Sequence, residues 1–197
     1  MKRIPVLILF FCTGCAGLWS EDPSFRCISG NCMNGAGKIK LGESVYSGQF
    51  SQGLPHGNGS LLQRGLEIYS GGFRAGLFEG QGVFQFQDGS VYRGEFQNGQ
   101  FHGSGELDLS SGNSYRGMFR NGKYHGSGRF VFLDGSLYVG EFRNGRPEGQ
   151  GKYESYQGGL MQGQYRNGRL NGKARVDLPG EPEFQGRFQD SQLKELL

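Results

Sequence analysis

Tyr92-Arg93-Gly94-Glu95-Phe96-Gln97-Asn98-Gly99-Gln100-Phe101-His102-Gly103-Ser104-Gly105 is the stretch from which the fold can be derived. Tyr92, Gly94 and Phe96 alternate, which places all three on one face of a strand. Asn98-Gly99 follows, the strongest short hairpin signal, because both residue types tolerate positive φ. The chain then returns through Gly103 and Gly105 into a second strand. Just upstream, Asp88-Gly89 supplies the turn from the preceding strand pair, as Asp134-Gly135 does further on.

The same pattern recurs every 23 residues without an insertion. Tyr46-Ser-Gly-Gln-Phe50, Tyr69-Ser-Gly-Gly-Phe73, Tyr115-Arg-Gly-Met-Phe119 and Tyr138-Val-Gly-Glu-Phe142 keep its phase, and Met161-Gln-Gly-Gln-Tyr165 and Phe184-Gln-Gly-Arg-Phe188 continue it. The paired glycines keep phase too, at Gly57/Gly59, Gly80/Gly82, Gly126/Gly128 and Gly149/Gly151, degrading to Gly172-Lys-Ala174. A fixed period of this length marks a repeat architecture. One hairpin is not stable alone, so consecutive copies must stack, each aromatic expected beside its counterpart in the next unit.

Composition agrees. The 38 glycines follow no period of three, and 6 prolines are too few for collagen. With 16 Phe and 9 Tyr the chain has the means to fold. Its net charge is +3, and two of its 21 basic residues, Lys2 and Arg3, sit in the N-terminal segment. The other basic residues are spread at repeat spacing, as on an ordinary solvated surface, which argues against a nucleic-acid partner.

Tyr-x-Gly-x-Phe-x-Asn-Gly-x-x-His-Gly-x-Gly, matched best by Tyr92 to Gly105 and Tyr115 to Gly128, resembles the MORN repeat (membrane occupation and recognition nexus). Phe stands where that family usually has Trp. The resemblance implies an all-β fold, an elongated single-layer twisted antiparallel sheet of stacked 23-residue β-hairpins. Residues 46–190 form the array, six full copies and a half copy. Residues 23–45 read as a divergent N-terminal cap repeat, and 191–197 as a C-terminal cap, a short helical turn over the last strand edge. Enzymatic members of the family owe their activity to a separate domain, which is missing here, so the expectation is a protein that is not an enzyme.

At the N-terminus, Met1-Lys2-Arg3 precedes an apolar run from Ile4 to Phe11. That run is too short to cross a bilayer and reads as a signal peptide over residues 1–14, followed by a tether over 15–22. Thr13-Gly14-Cys15 resembles a bacterial lipobox, with Cys12 where an aliphatic residue is usual. The resemblance implies cleavage before Cys15 and a diacylglyceryl thioether on its sulfur. The other reading is ordinary cleavage after Ala16 or Gly17. In an oxidising compartment Cys27 and Cys32 are expected to form a disulfide.

Few residues are candidates for chemistry. His56, His102 and His125 share one repeat position with Glu79, Glu148 and Asn171, about 10 Å apart in adjacent hairpins, which does not suit ligands of one metal. Glu95 and Glu141 lie two repeats apart, too far to share acid–base work. No phosphate-binding loop motif occurs. The expectation is therefore no catalytic residues, no metal and no cofactor. The aromatic positions remain: Tyr46, Phe50, Tyr69, Phe73, Tyr92, Phe96, Tyr115, Phe119, Tyr138 and Phe142. They are either the core of a thin sheet or an open face that receives a peptide, helix or glycan. The expected function is a non-enzymatic protein-binding or scaffolding module, lipid-anchored at the bacterial cell envelope, at the outer membrane. The alternatives are a phospholipid-binding repeat surface, a soluble secreted or periplasmic protein and, last, an envelope hydrolase.

Overall fold

The computed structural model describes residues 25–197. These residues contain strands and turns and no helix. The signal-peptide, tether and Cys15 expectations lie outside them. The strands are β1 Phe25–Gly30, β2 Gly35–Leu41, β3 Ser44–Ser51, β4 Leu54–Gln63, β5 Leu66–Arg74, β6 Leu77–Gln85, β7 Val91–Gln97 and β8 Gln100–Asp108. Then come β9 Ser114–Arg120, β10 Lys123–Val131, β11 Leu137–Arg143, β12 Arg146–Glu154, β13 Leu160–Arg166, β14 Arg169–Asp177, β15 Phe184–Gln189 and β16 Gln192–Leu196. Sheet order is chain order, β1 to β16, without a crossover. Two compact units divide within β8, one ending at Phe101 and the other covering His102–Leu197.

Within each unit every 23-residue copy is an antiparallel hairpin. Lys123 pairs with Arg120 across Asn121-Gly122, whose φ values of 51° and 73° are those of a tight two-residue turn with both central residues left-handed. The outer turns are longer. Phe132 N–H donates to the Ser136 carbonyl at 2.9 Å and Gly135 N–H to the Phe132 carbonyl at 3.0 Å, which closes the loop around Asp134-Gly135.

Consecutive hairpins are also tied through their turns. Gly76 N–H donates to the Pro55 carbonyl at 2.9 Å, Gly99 to Phe78 at 2.9 Å, Gly145 to Tyr124 at 2.9 Å and Gly168 to Pro147 at 2.8 Å. Each bond spans one repeat, so the tight turns hold their own ladder beside that of the strands.

The two glycines of each Gly-x-Gly pair serve different ends. Gly126 has φ of 56° where the β9–β10 register shifts between His125 and Gly128, so it supplies the backbone of a bulge. Gly128 lies under the Tyr115 ring, and a Cβ there would come within 2.6 Å of ring atoms Cε2 and Cζ. Gly59 stands in the same relation to Tyr46, Gly82 to Tyr69 and Gly151 to Tyr138.

Both ends of the described chain are hairpins. β1 pairs with β2 through a register shift between Cys27 and Ser29, and Cys27 is disulfide-bonded to Cys32 as expected. The helical turn expected over 191–197 is not formed. Asp190-Ser191, with φ of 50° and 65°, takes the tight-turn position, and β16 pairs with β15 from Gln189↔Gln192 to Gly186↔Leu196. The last copy is thus a complete hairpin. An edge carbonyl and N–H gain more from the ladder than one isolated helical turn would return.

Candidate functional site

The ten aromatic residues proposed as a binding face are the core. Tyr46, Tyr69, Tyr92, Tyr115, Tyr138, Phe50, Phe73, Phe96, Phe119 and Phe142 are all 5% exposed or less. They offer no open face, and the groove expectation is corrected on this point. The cause is steric: with only hydrogen atoms on the paired glycines, each tyrosine ring can lie flat on the strands that carry it.

The neighbours also differ from expectation. A tyrosine does not pack on the next tyrosine. It meets the aromatic of the following repeat edge-on, Tyr46 with Phe73 at 4.8 Å, Tyr69 with Phe96 at 5.1 Å, Tyr115 with Phe142 at 5.1 Å and Tyr138 with Tyr165 at 5.0 Å between centroids. Its flat face stacks on a residue nine positions later, Phe78 on Tyr69 at 3.8 Å, Phe101 on Tyr92 at 3.7 Å and Tyr124 on Tyr115 at 3.9 Å. Pro55, Pro147 and Leu170 hold that position in other copies. This third column escaped the sequence pattern because its occupants differ in type. Its only signal is the 23-residue spacing.

Each hydroxyl finds a backbone acceptor at the bulge. Tyr46 donates to the Gln49 carbonyl at 2.8 Å, Tyr69 to Gly72 at 2.8 Å, Tyr92 to Glu95 at 2.8 Å and Tyr115 to Met118 at 2.9 Å. Burial pushes the Tyr46, Tyr124 and Tyr165 hydroxyls up to about 12. Burial likewise raises Tyr69, Tyr115 and Tyr138, with the charge of Glu79 adding to the effect at Tyr69. These hydroxyls stay protonated and serve the fold.

The chain belongs to the MORN repeat family. The family model described as MORN repeat matches residues 46–62, 69–91, 92–114, 115–137, 138–160 and 162–176, more than half of the chain. No curated protein matches the chain in sequence. Among solved structures it is similar to the TCP domain of SAS-4 (dCPAP) of Drosophila melanogaster, in complex with a proline-rich motif of Ana2 (dSTIL). Identity is 13%, the match covers 86% of this chain and 93% of that one, and the TM-score is 0.49. A likeness at that level says nothing about what this chain binds.

The MORN position shared by the histidines has a structural use. Glu79 accepts the backbone N–H of Asn98 at 3.0 Å, and Glu148 that of Asn167 at 2.9 Å, so a polar side chain here caps the next tight turn. Among the described residues, no group of three or more His, Cys, Asp or Glu side chains gathers to hold a metal. The face of the MORN array opposite the rings carries charged side chains. There Arg116 pairs with Glu106 at 2.7 Å, Arg175 with Glu183 at 2.7 Å and Lys152 with Glu154 at 2.5 Å, all at least partly exposed.

Proposed function

We propose that this chain is a non-enzymatic module whose repeat surface binds another protein, held at the bacterial cell envelope by an acyl anchor on Cys15, with the outer membrane as its site. The observation that carries this reading is the burial of the aromatic columns. The rings and glycines that define the repeat are used up in packing hairpin on hairpin. Polar columns recurring at fixed spacing are left outside, and extended regular surfaces of this kind suit recognition of another macromolecule. The anchor rests on the sequence from Met1 to Cys15 alone, and a set of acyl chains at one site holds a protein stably to a bilayer.

Affinity capture under crosslinking from envelope extracts tests the binding reading. A reproducible partner supports it, and recovery of none counts against it. Mass spectrometry of the mature N-terminus tests the anchor. An unmodified terminus after Ala16 or Gly17 would remove it and leave a secreted or periplasmic protein.

A further inference from the structure

Three consecutive tight turns are flanked on both sides by basic residues: Arg120 and Lys123, Arg143 and Arg146, Arg166 and Arg169. All six are exposed and lie within the unit His102–Leu197. In each turn the two cations face each other directly across the strand pair. Among the described residues no carboxylate pairs with any of them, unlike Arg74, Arg116, Arg175 and Arg187 elsewhere in the array. The last tight turn of the same unit is neutral at these positions, Gln189 with Gln192. The outer turns of the same unit hold no basic residue and include Asp134 and Glu181. A spacing of 23 residues, which looks like dispersal along the chain, gathers these cations on one edge.

Like charges directly opposite one another across strands are destabilising. Three such pairs in succession leave a local repulsion that a bound anion would relieve. We propose that this edge binds an extended acidic polypeptide segment, a proposal that rests on the protein-binding reading above. Equivalent turns lie two strand spacings apart, about 10 Å. In an extended polyproline II conformation a chain advances about 3.1 Å per residue with three residues per turn, so a carboxylate at every third residue stays on one side, recurs about every 9 Å and meets each turn in succession. Asn121, Asn144 and Asn167 are exposed at the turn tips between the cations, and their side-chain amides suit the backbone of such a segment. Single-stranded nucleic acid fits less well, since it stacks its bases on aromatic side chains, and the exposed rings of this unit, Phe132 and Tyr156, sit by the outer turns. A bilayer also fits less well, since the strongly exposed Leu133 and Tyr156 stand by the outer turns, and beside the three basic turns the exposed apolar side chain is Met118, too little apolar surface to enter a membrane.

The test is fluorescence anisotropy of a labelled peptide of repeated Ser-Gly-Glu triplets against the full chain, with a Ser-Gly-Gln peptide as control. The Glu peptide binds, the control does not, and the bound protein melts at higher temperature. The double substitution Arg143→Gln with Arg146→Gln weakens binding about tenfold, and Arg166→Gln with Arg169→Gln does the same, both with unchanged circular dichroism. Equal binding of the two peptides, or full binding by both variants, overturns the proposal. So does binding to phosphatidylserine vesicles that these variants lose while the Glu peptide fails to bind, since that assigns the edge to lipid headgroups. A cellular partner captured equally by the wild type and by Arg143→Gln/Arg146→Gln leaves the protein-binding reading standing and sinks the edge proposal alone.

Discussion

Met161 and Ala174 depart from the repeat together. Met161 stands where the five preceding copies carry the tyrosine, and Ala174 stands where they carry the glycine beneath it. Ala174 is buried and faces Gly163 across β13 and β14, so its methyl occupies space that a tyrosine ring would need. The ring and the bare glycine are therefore one packing unit.

A double-mutant cycle measures that coupling. Gly128→Ala drives a methyl into the Tyr115 ring and is expected to cost about 1–3 kcal/mol, the usual penalty of overpacking. Met161→Tyr should destabilise for the same reason in reverse. Combined with Ala174→Gly it should recover, with a coupling energy on the order of 1 kcal/mol or more by urea denaturation. Additive losses would show that the ring does not lie over position 174.

Ala75 has φ of 48° at a tight-turn position that Asn fills in four later copies. A residue with a Cβ is strained there, and Asn is the side chain that best tolerates it. Ala75→Asn should raise stability by about 0.5–1 kcal/mol, seen as a higher urea midpoint at unchanged slope. A lower midpoint would mean that the turn is not held in this conformation.

The buried tyrosines set an alkaline limit. Their folded pKa values lie above the value of about 10 for a free tyrosine, so the unfolded chain ionises first. Their contribution is complete below pH ~10 and is lost as pH rises toward about 12 for Tyr46, Tyr124 and Tyr165. Tyrosinate absorbance of the buried rings should appear together with loss of β-sheet circular dichroism. Ionisation of those rings near pH 10 with the sheet intact would contradict their burial.

Reduction of Cys27–Cys32 should act locally. The bridge closes a short loop, for which chain entropy gives roughly 2 kcal/mol. Amide exchange should quicken in β1 and β2 and stay unchanged in β9 to β14. Uniform loss of protection would mean that the first hairpin holds the whole array.

Most of the fold was legible because its turns are written in Asn-Gly and its strands in alternation. Asp190-Ser191 was missed as a turn since neither residue is the usual one, although the register points to it. Ring burial could not be read from Tyr92 or Phe96 themselves, because it depends on how closely the glycines let the strands and rings approach. The charged edge was hidden for a different reason. Arg120, Arg143 and Arg166 are far apart in the chain and meet only once the period is folded.

The proposed partner of this MORN array is a protein held on its outer surface. Crosslinking mass spectrometry on the full-length protein in its own envelope tests this most directly. Recurrent crosslinks from exposed lysines such as Lys123 and Lys173 to one other protein are expected. Crosslinks confined to lipid, or none that recur between preparations, would contradict that proposal.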